Sequence, residues 1–156
     1  RENRNNLNRV VQCARLVKRG IDTLSPLIEE ITAEVCPSCE EICCKNRHGY
    51  PDHGDLVYLS FLGIEPPPYR DGVKDSDLCQ FLSSHGCSRE RSVRPFRCTW
   101  YFCSPLIQHM EHGPAKPSRE LCNRLREVIR LRREMLEEFS RVAGPLSYSG
   151  KPFISR

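Results

Sequence analysis

Eight of the ten cysteines in this 156-residue chain lie between positions 36 and 103. Four fall in the run CPSCEEICC, as Cys36, Cys39, Cys43 and Cys44; Cys79, Cys87, Cys98 and Cys103 are dispersed behind it. Thiolate is the preferred ligand of zinc and of iron-sulfur clusters, and a C-x2-C step lets one tight turn aim two sulfurs at one ion. The pattern therefore points to metal. A disulfide scaffold is the rival reading, because an even number of irregularly spaced cysteines also marks secreted, stapled domains. Three features weigh against it. Cysteine makes up only about 6% of the chain, adjacent Cys43 and Cys44 pair awkwardly with separate partners, and no apolar leader-like segment is visible.

Neighbouring side chains on extended backbone point to opposite sides, so Cys43 and Cys44 serve one mononuclear ion only if the chain turns sharply there. Two sites, or one larger cluster, fit better. Eight sulfurs suffice for two tetrahedral zinc sites; alternatively, four hold a [4Fe-4S] cluster while the rest stay structural. Spacing alone does not choose the metal. His48 and His85 lie near cysteines in sequence and are weaker candidates to replace a thiolate. His109 and His112 fall in a proline-bounded loop and are expected to be exposed. Cys13 and Cys122 sit on apolar helix faces, where free cysteine acts as a small hydrophobe. Arg89, Arg91, Arg94 and Arg97 flank the second group of cysteines, where positive charge lowers thiol pKa values and offsets the charge of a four-thiolate centre. The bland alternative is a solvated basic hairpin. No Walker loop, dinucleotide fingerprint, nucleophile elbow or HExxH motif occurs.

The elements that must position these residues read as helix, cysteine module, helix, in a single domain over 1–156. The divisions are 1–35 for N-terminal helices, 36–105 for the cysteine module and 106–156 for a loop and a long C-terminal helix. Val10, Cys13, Ala14, Val17 and Ile21 recur at three- and four-residue steps, forming one apolar stripe. Gly20 weakens the end of that first helix. Ser25-Pro26 then reads as the cap and first turn of a second, through Leu27, Ile28, Ile31 and Val35. Ser118 is the expected cap of a helix that runs to Ala143, about 39 Å at roughly 1.5 Å per residue, with Gly144-Pro145 as its stop. Leu121, Leu125, Val128, Met135, Phe139 and Val142 form its seam, interrupted by Arg132 and flanked by Cys122, Ile129, Leu136 and Ala143. Glu120 with Arg124 and Glu137 with Arg141 are spaced as i,i+4 pairs. The simplest packing lays this helix on the N-terminal pair; a homodimeric coiled coil is the other use of the same face.

Between the helices, Asp55 to Leu62 reads as a short helix or strand, and Pro66-Pro67-Pro68 as an extended spacer. Leu78 to Leu82 and Cys87 to Arg91, separated by Ser-Ser-His-Gly, read as a hairpin. Pro105, Pro114 and Pro117 mark a loop. The fold class is mainly α with a small β-hairpin: a helical scaffold around an irregular cysteine-rich centre that bound metal would order.

Taken together, the C-x2-C-x3-C-C run, Cys79-Gln80-Phe81-Leu82, Gly86-Cys87 and Arg94-Pro95-x2-Cys98 resemble the YkgJ-type cysteine-cluster family of zinc- or iron-chelating proteins. The likeness spans Cys36 to Cys103 and leaves the flanking helices outside. It implies a ligand set of Cys36, Cys39, Cys43, Cys44, Cys79, Cys87 and Cys98, with Cys103 the last member. Family members are typically small bacterial proteins, and a similar cluster accompanies a methylase of flagellin lysines. The resemblance implies an iron-sulfur or zinc site; an iron-sulfur cluster with a redox or protein-modification-related role is the first expectation.

A zinc-stabilised binding module without catalysis is the alternative. A net charge of +4 is a mild bias. A protein partner is expected before nucleic acid, although Trp100, Tyr101 and Phe102 beside basic residues have the composition of a stacking surface. No apolar run reaches the roughly 20 residues of a membrane span, and the thiol content favours a reducing cytoplasm.

Overall fold

The computed structural model describes residues 2–143 of the chain. Helix α1 (Glu2–Val35) runs without a break, and α5 (Ala115–Ala143) lies along it as its principal packing partner. Between them come α2 (His53–Leu62), a hairpin of β1 (Leu82–Ser83) and β2 (Gly86–Cys87), a one-turn α3 (Arg97–Trp100) and α4 (Ser104–His112). Short 3-10 turns cover Cys36–Ser38, Asn46–His48 and Arg91–Val93. The protein is mainly α with a small antiparallel hairpin, as the sequence predicts.

The two predicted N-terminal helices are one. Pro26 sits inside α1, where it removes an amide donor and ordinarily breaks a helix. Here the apolar stripe passes through it in register. Val10, Ala14, Val17, Ile21, Leu24 and Ile28 are all buried, opposite Leu121, Val128 and Met135 of α5. Burial on both sides of the proline offsets the lost hydrogen bond, since each such side chain contributes roughly 1.5 to 3 kcal/mol. Gly20 likewise does not end the helix. A Cβ there would lie 2.8 Å from Val128 Cγ2, so glycine marks the close approach of α1 to α5.

At the other end, α5 starts at Ala115, ahead of the predicted cap. Ser118 is not the cap; its hydroxyl donates to Met110 O at 3.0 Å. Pro117 falls in the first turn, where a missing amide donor has no intrahelical partner to lose. The predicted seam is inward, with Leu125, Phe139 and Val142 partly buried beside the three fully buried residues. Glu120 pairs with Arg124 as expected, whereas Arg141 takes Glu138 rather than Glu137. The stop at Gly144-Pro145 lies outside the described residues.

Arg132, the interruption in that seam, is a tie between α5 and α2. One of its nitrogens lies 2.9 Å from both Asp52 and Asp55, and its guanidinium stacks 4.7 Å over Phe96. Asp52 and Asp55 also form the reciprocal capping box of α2, and Gly63 closes that helix in the left-handed conformation (φ 68°). The segment left open between helix and strand is therefore a helix, capped at both ends. Burial pushes the Asp55 carboxyl up, outweighing the pull of its amide donors and Arg132. The contact thus fixes direction more than it adds stability.

Two further expectations are corrected. The region after Cys103 is not a loop: α4 forms, with Pro105 in its first turn and Leu106 buried. Proline there suits a helix start rather than opposing it. The hairpin is also shorter than predicted, pairing only Leu82 with Cys87 and Ser83 with Gly86. Leu78 instead bridges to Lys45, and Arg91 enters a 3-10 turn.

Gly20→Ala should destabilise the protein by about 1 kcal/mol, because overpacking against Val128 exceeds the gain in helix propensity. Adding Val128→Ala to Gly20→Ala should reduce the penalty attributable to the new methyl, read as coupling in a urea-unfolding double-mutant cycle.

Candidate metal centre

The C-terminus of α1 delivers the first two sulfurs. Pro37 cannot extend the helix, so the chain tightens into the 3-10 turn Cys36–Ser38, closed by the Cys39 amide donating to Cys36 O at 3.2 Å. The C-x2-C step is thereby a single turn, with Cys36 exposed and Cys39 half-buried. Farther on, the Lys45 amide donates to Cys43 O at 2.9 Å, which makes a three-residue turn centred on Cys44. The chain does bend sharply at the adjacent pair.

Residues just past that turn are tied to the dispersed cysteines. The Cys79 amide donates to Cys44 O at 2.9 Å and the Asn46 amide to Asp77 O at 2.8 Å, around the Lys45–Leu78 bridge. Asn46 locks the join. Fully buried, it donates from Nδ2 to Tyr50 Oη at 3.0 Å and accepts from Gln80 Nε2 at 3.2 Å. Beneath it, a Cβ on Gly49 would meet the Cys79 sulfur at 3.0 Å, so glycine admits that thiol. Cys87 stands on β2, and Cys98 on α3 has its thiol 4.0 Å from His48 O. Cys103 occupies the cap position of α4.

The electrostatics sort the thiols into two overlapping neighbourhoods. Burial first, then charge on Cys103 and Cys44, pushes Cys43 up to about 12. Cys36 is raised by burial and by Cys44, Cys103 and Cys39. On the other side, burial and then Cys79 and Cys87 raise Cys44. Cys98 is pushed up to about 12 by burial and Cys87, with Cys44 and Cys79 adding to it. Cys44 thus borders both groups. Among the described residues no three Cys, His, Asp or Glu side chains converge as a ready coordination shell. The sulfurs are neighbours, and drawing four of them onto one ion requires local adjustment.

The arginines are not a solvated hairpin. Arg91 is buried, with Nη2 donating to Glu29 of α1 at 2.6 Å and Nη1 to Cys98 O at 2.8 Å. Arg94 lies 3.4 Å from the same carboxylate and donates to Arg89 O at 2.7 Å. Its positive charge pulls both Cys44 and Cys98 down, against the burial that raises them. Arg89, Arg91 and Arg97 each keep a buried Nε without a hydrogen-bond partner. Guanidinium groups confined beside thiols fit an anionic, thiolate-rich centre. Glu29 and Asn46 escaped the sequence reading, because neither belongs to a motif and each acts only across the fold.

The histidine rings have other partners, although the His48 carbonyl lies beside the Cys98 thiol. His48 stacks on Tyr101 with ring centroids 6.2 Å apart, and burial, Arg97 and Arg47 lower its pKa. His85 is exposed at the hairpin tip beside Ser84. His109 and His112 are exposed as expected, but on α4 rather than in a loop, and His109 meets Glu34 at 3.1 Å. Cys13 packs against the core. No protein family, curated protein or solved structure matches the chain. Among the described residues no helix is long and apolar enough to cross a membrane.

Glu29→Ala should cost about 2 kcal/mol in urea unfolding, because it leaves the buried Arg91 guanidinium short of its charged partner. Glu29→Gln, which retains an acceptor, should cost less.

Proposed function

We propose that this chain is a metal-binding protein with two thiolate centres. One draws on Cys36, Cys39, Cys43 and Cys103, the other on Cys44, Cys79, Cys87 and Cys98. The observation that carries the reading is the backbone join that sets the Cys43-Cys44 turn against Cys79, through the Cys79 amide on Cys44 O and the Lys45–Leu78 bridge; the strongest thiol neighbour of Cys43 is then Cys103, and those of Cys44 are Cys79 and Cys87. Packing alone gives no reason for such a gathering. Burying thiols beside one another raises their pKa values, whereas a bound cation reverses that effect and stabilises the thiolates.

Iron-sulfur is the first occupant we propose, where a cluster would supply redox capacity or support a modifying reaction. Zinc is the second reading, and one observation favours it: the division at Cys43 and Cys44 removes the need for a single large cluster. Four thiolates close a zinc shell, so such centres would be structural and the protein a binding module.

Anaerobic purification with elemental analysis and a visible spectrum separates the two readings. Brown protein with iron and acid-labile sulfide supports the first, and colourless protein with stoichiometric zinc the second. Cys43→Ser and Cys44→Ser should each remove about half of the bound metal, whereas Cys13→Ala and Cys122→Ala should leave it intact. Equal loss from all four variants would overturn the assignment.

The raised thiols also set a pH dependence. With Cys43 and Cys98 near 12 and Cys36 and Cys44 raised, these groups hold their protons at neutral pH. Binding must displace those protons, so apparent affinity should fall as pH falls. Zinc titration by calorimetry in buffers of different ionisation enthalpy should show release of about two protons per ion from these groups.

A further inference from the structure

One exposed aromatic patch lies outside the scaffold and borders the proposed centres only through Arg97 and the His48 carbonyl. Trp100 is the chain's single tryptophan, and 43% of its surface remains exposed; neighbouring Tyr101 is 39% exposed. Both sit where α3 ends, and their rings meet edge to face at 6.2 Å. The Arg97 guanidinium lies 4.8 Å over the Tyr101 ring and 5.6 Å over Trp100. His48 stacks against Tyr101 at an interplanar angle of 26°, and Arg47 Nε donates to His48 Nε2 at 3.3 Å. Arg47, His48, Tyr101, Arg97 and Trp100 thus form one continuous group of rings and guanidinium planes. Neither Arg47 nor Arg97 is in an ion pair with a carboxylate among the described residues.

Large aromatic side chains are normally covered, and their exposure beside unpaired cations is a chemical signature. An acidic peptide would satisfy the arginines and leave the ring faces without partners. A single strand of nucleic acid answers both: phosphates to the guanidinium groups, and base faces to the rings. The net charge of +4 favours the same approach. We infer that this patch binds single-stranded nucleic acid through base stacking on Trp100 and Tyr101 and phosphate contacts to Arg47 and Arg97. The geometry belongs to the protein surface, so the inference stands whichever metal the thiols hold.

Because Trp100 is the only tryptophan, its fluorescence reports on the patch directly. The metal-loaded protein is titrated with oligothymidylate and oligouridylate at low salt, with labelled strands followed by anisotropy in parallel. Quenching of Trp100 with half-saturation below about 100 µM, weakening linearly in log salt, is the expected result. Tyr101→Ala should weaken binding about tenfold, in line with one lost stacking contact. Arg47→Ala, on an exposed turn away from the core, should weaken it and flatten the salt dependence while leaving circular dichroism and metal content unchanged. No quenching by either strand overturns the inference. So does equal or stronger quenching by polyglutamate, which would mark an acidic protein site, and so does binding that Arg47→Ala and Tyr101→Ala leave unaltered.

Discussion

The segment from Cys36 to Cys103 is fastened to the two long helices by two carboxylate-guanidinium contacts, and the placing of its sulfurs depends on them. Glu29 of α1 receives Arg91 and Arg94, which flank the approach to Cys98. Arg132 of α5 receives Asp52 and Asp55 and covers Phe96. Apolar contacts share this work: Phe61, Leu62, Ile64, Val93, Phe96 and Phe102 of the segment are partly buried against the core. Within the segment, the buried hydrophobic residues are Val57, Tyr58 and Leu59, all on α2. The cysteine-bearing turns contribute none.

The charged contacts stand beside apolar ones, with Val93 and Phe96 packed next to Arg91, Arg94 and Arg132. Buried ion pairs add little net stability, because desolvation cancels most of their attraction, but they are directional and costly to break. Packing of α2, Val93, Phe96 and Phe102 holds the segment on the helices, and the charged contacts add direction to it. Hydrogen bonds do the finer alignment: Asn46 joins the turn after Cys44 to the turn carrying Gln80, and the Cys79 amide binds Cys44 O. Metal binding would add the remaining order in the same directional manner.

Electrostatics in the centre run in two opposed directions. Burial and neighbouring thiols raise Cys36, Cys43, Cys44 and Cys98, while Arg94 favours the thiolates of Cys44 and Cys98. Burial of Arg91 and Arg94 beside sulfur is balanced by the Glu29 carboxylate, which faces both guanidinium groups. The arrangement suits groups that are neutral when free and anionic when they bind a cation.

Much of the scaffold was legible from the chain because its stripes are local: Val10 to Ile21 and Leu121 to Val142 repeat at helical spacing, and helical spacing needs no knowledge of the partner. The eight cysteines could be singled out for the same reason, as residue types at short spacings. Other features were decided only by the tertiary structure. Pro26 reads as a helix start until Leu24 and Ile28 are seen buried on one face. Gly20 reads as a weak end until Val128 arrives, and Arg132 reads as a flaw in a seam until Asp52 and Asp55 meet it. Composition and periodicity determined which residues prefer a helix and which atoms can bind a metal. The joining of the Cys43-Cys44 turn to Cys79, and the arginines seated beside the thiols, came from contacts between distant segments, which local spacing does not encode.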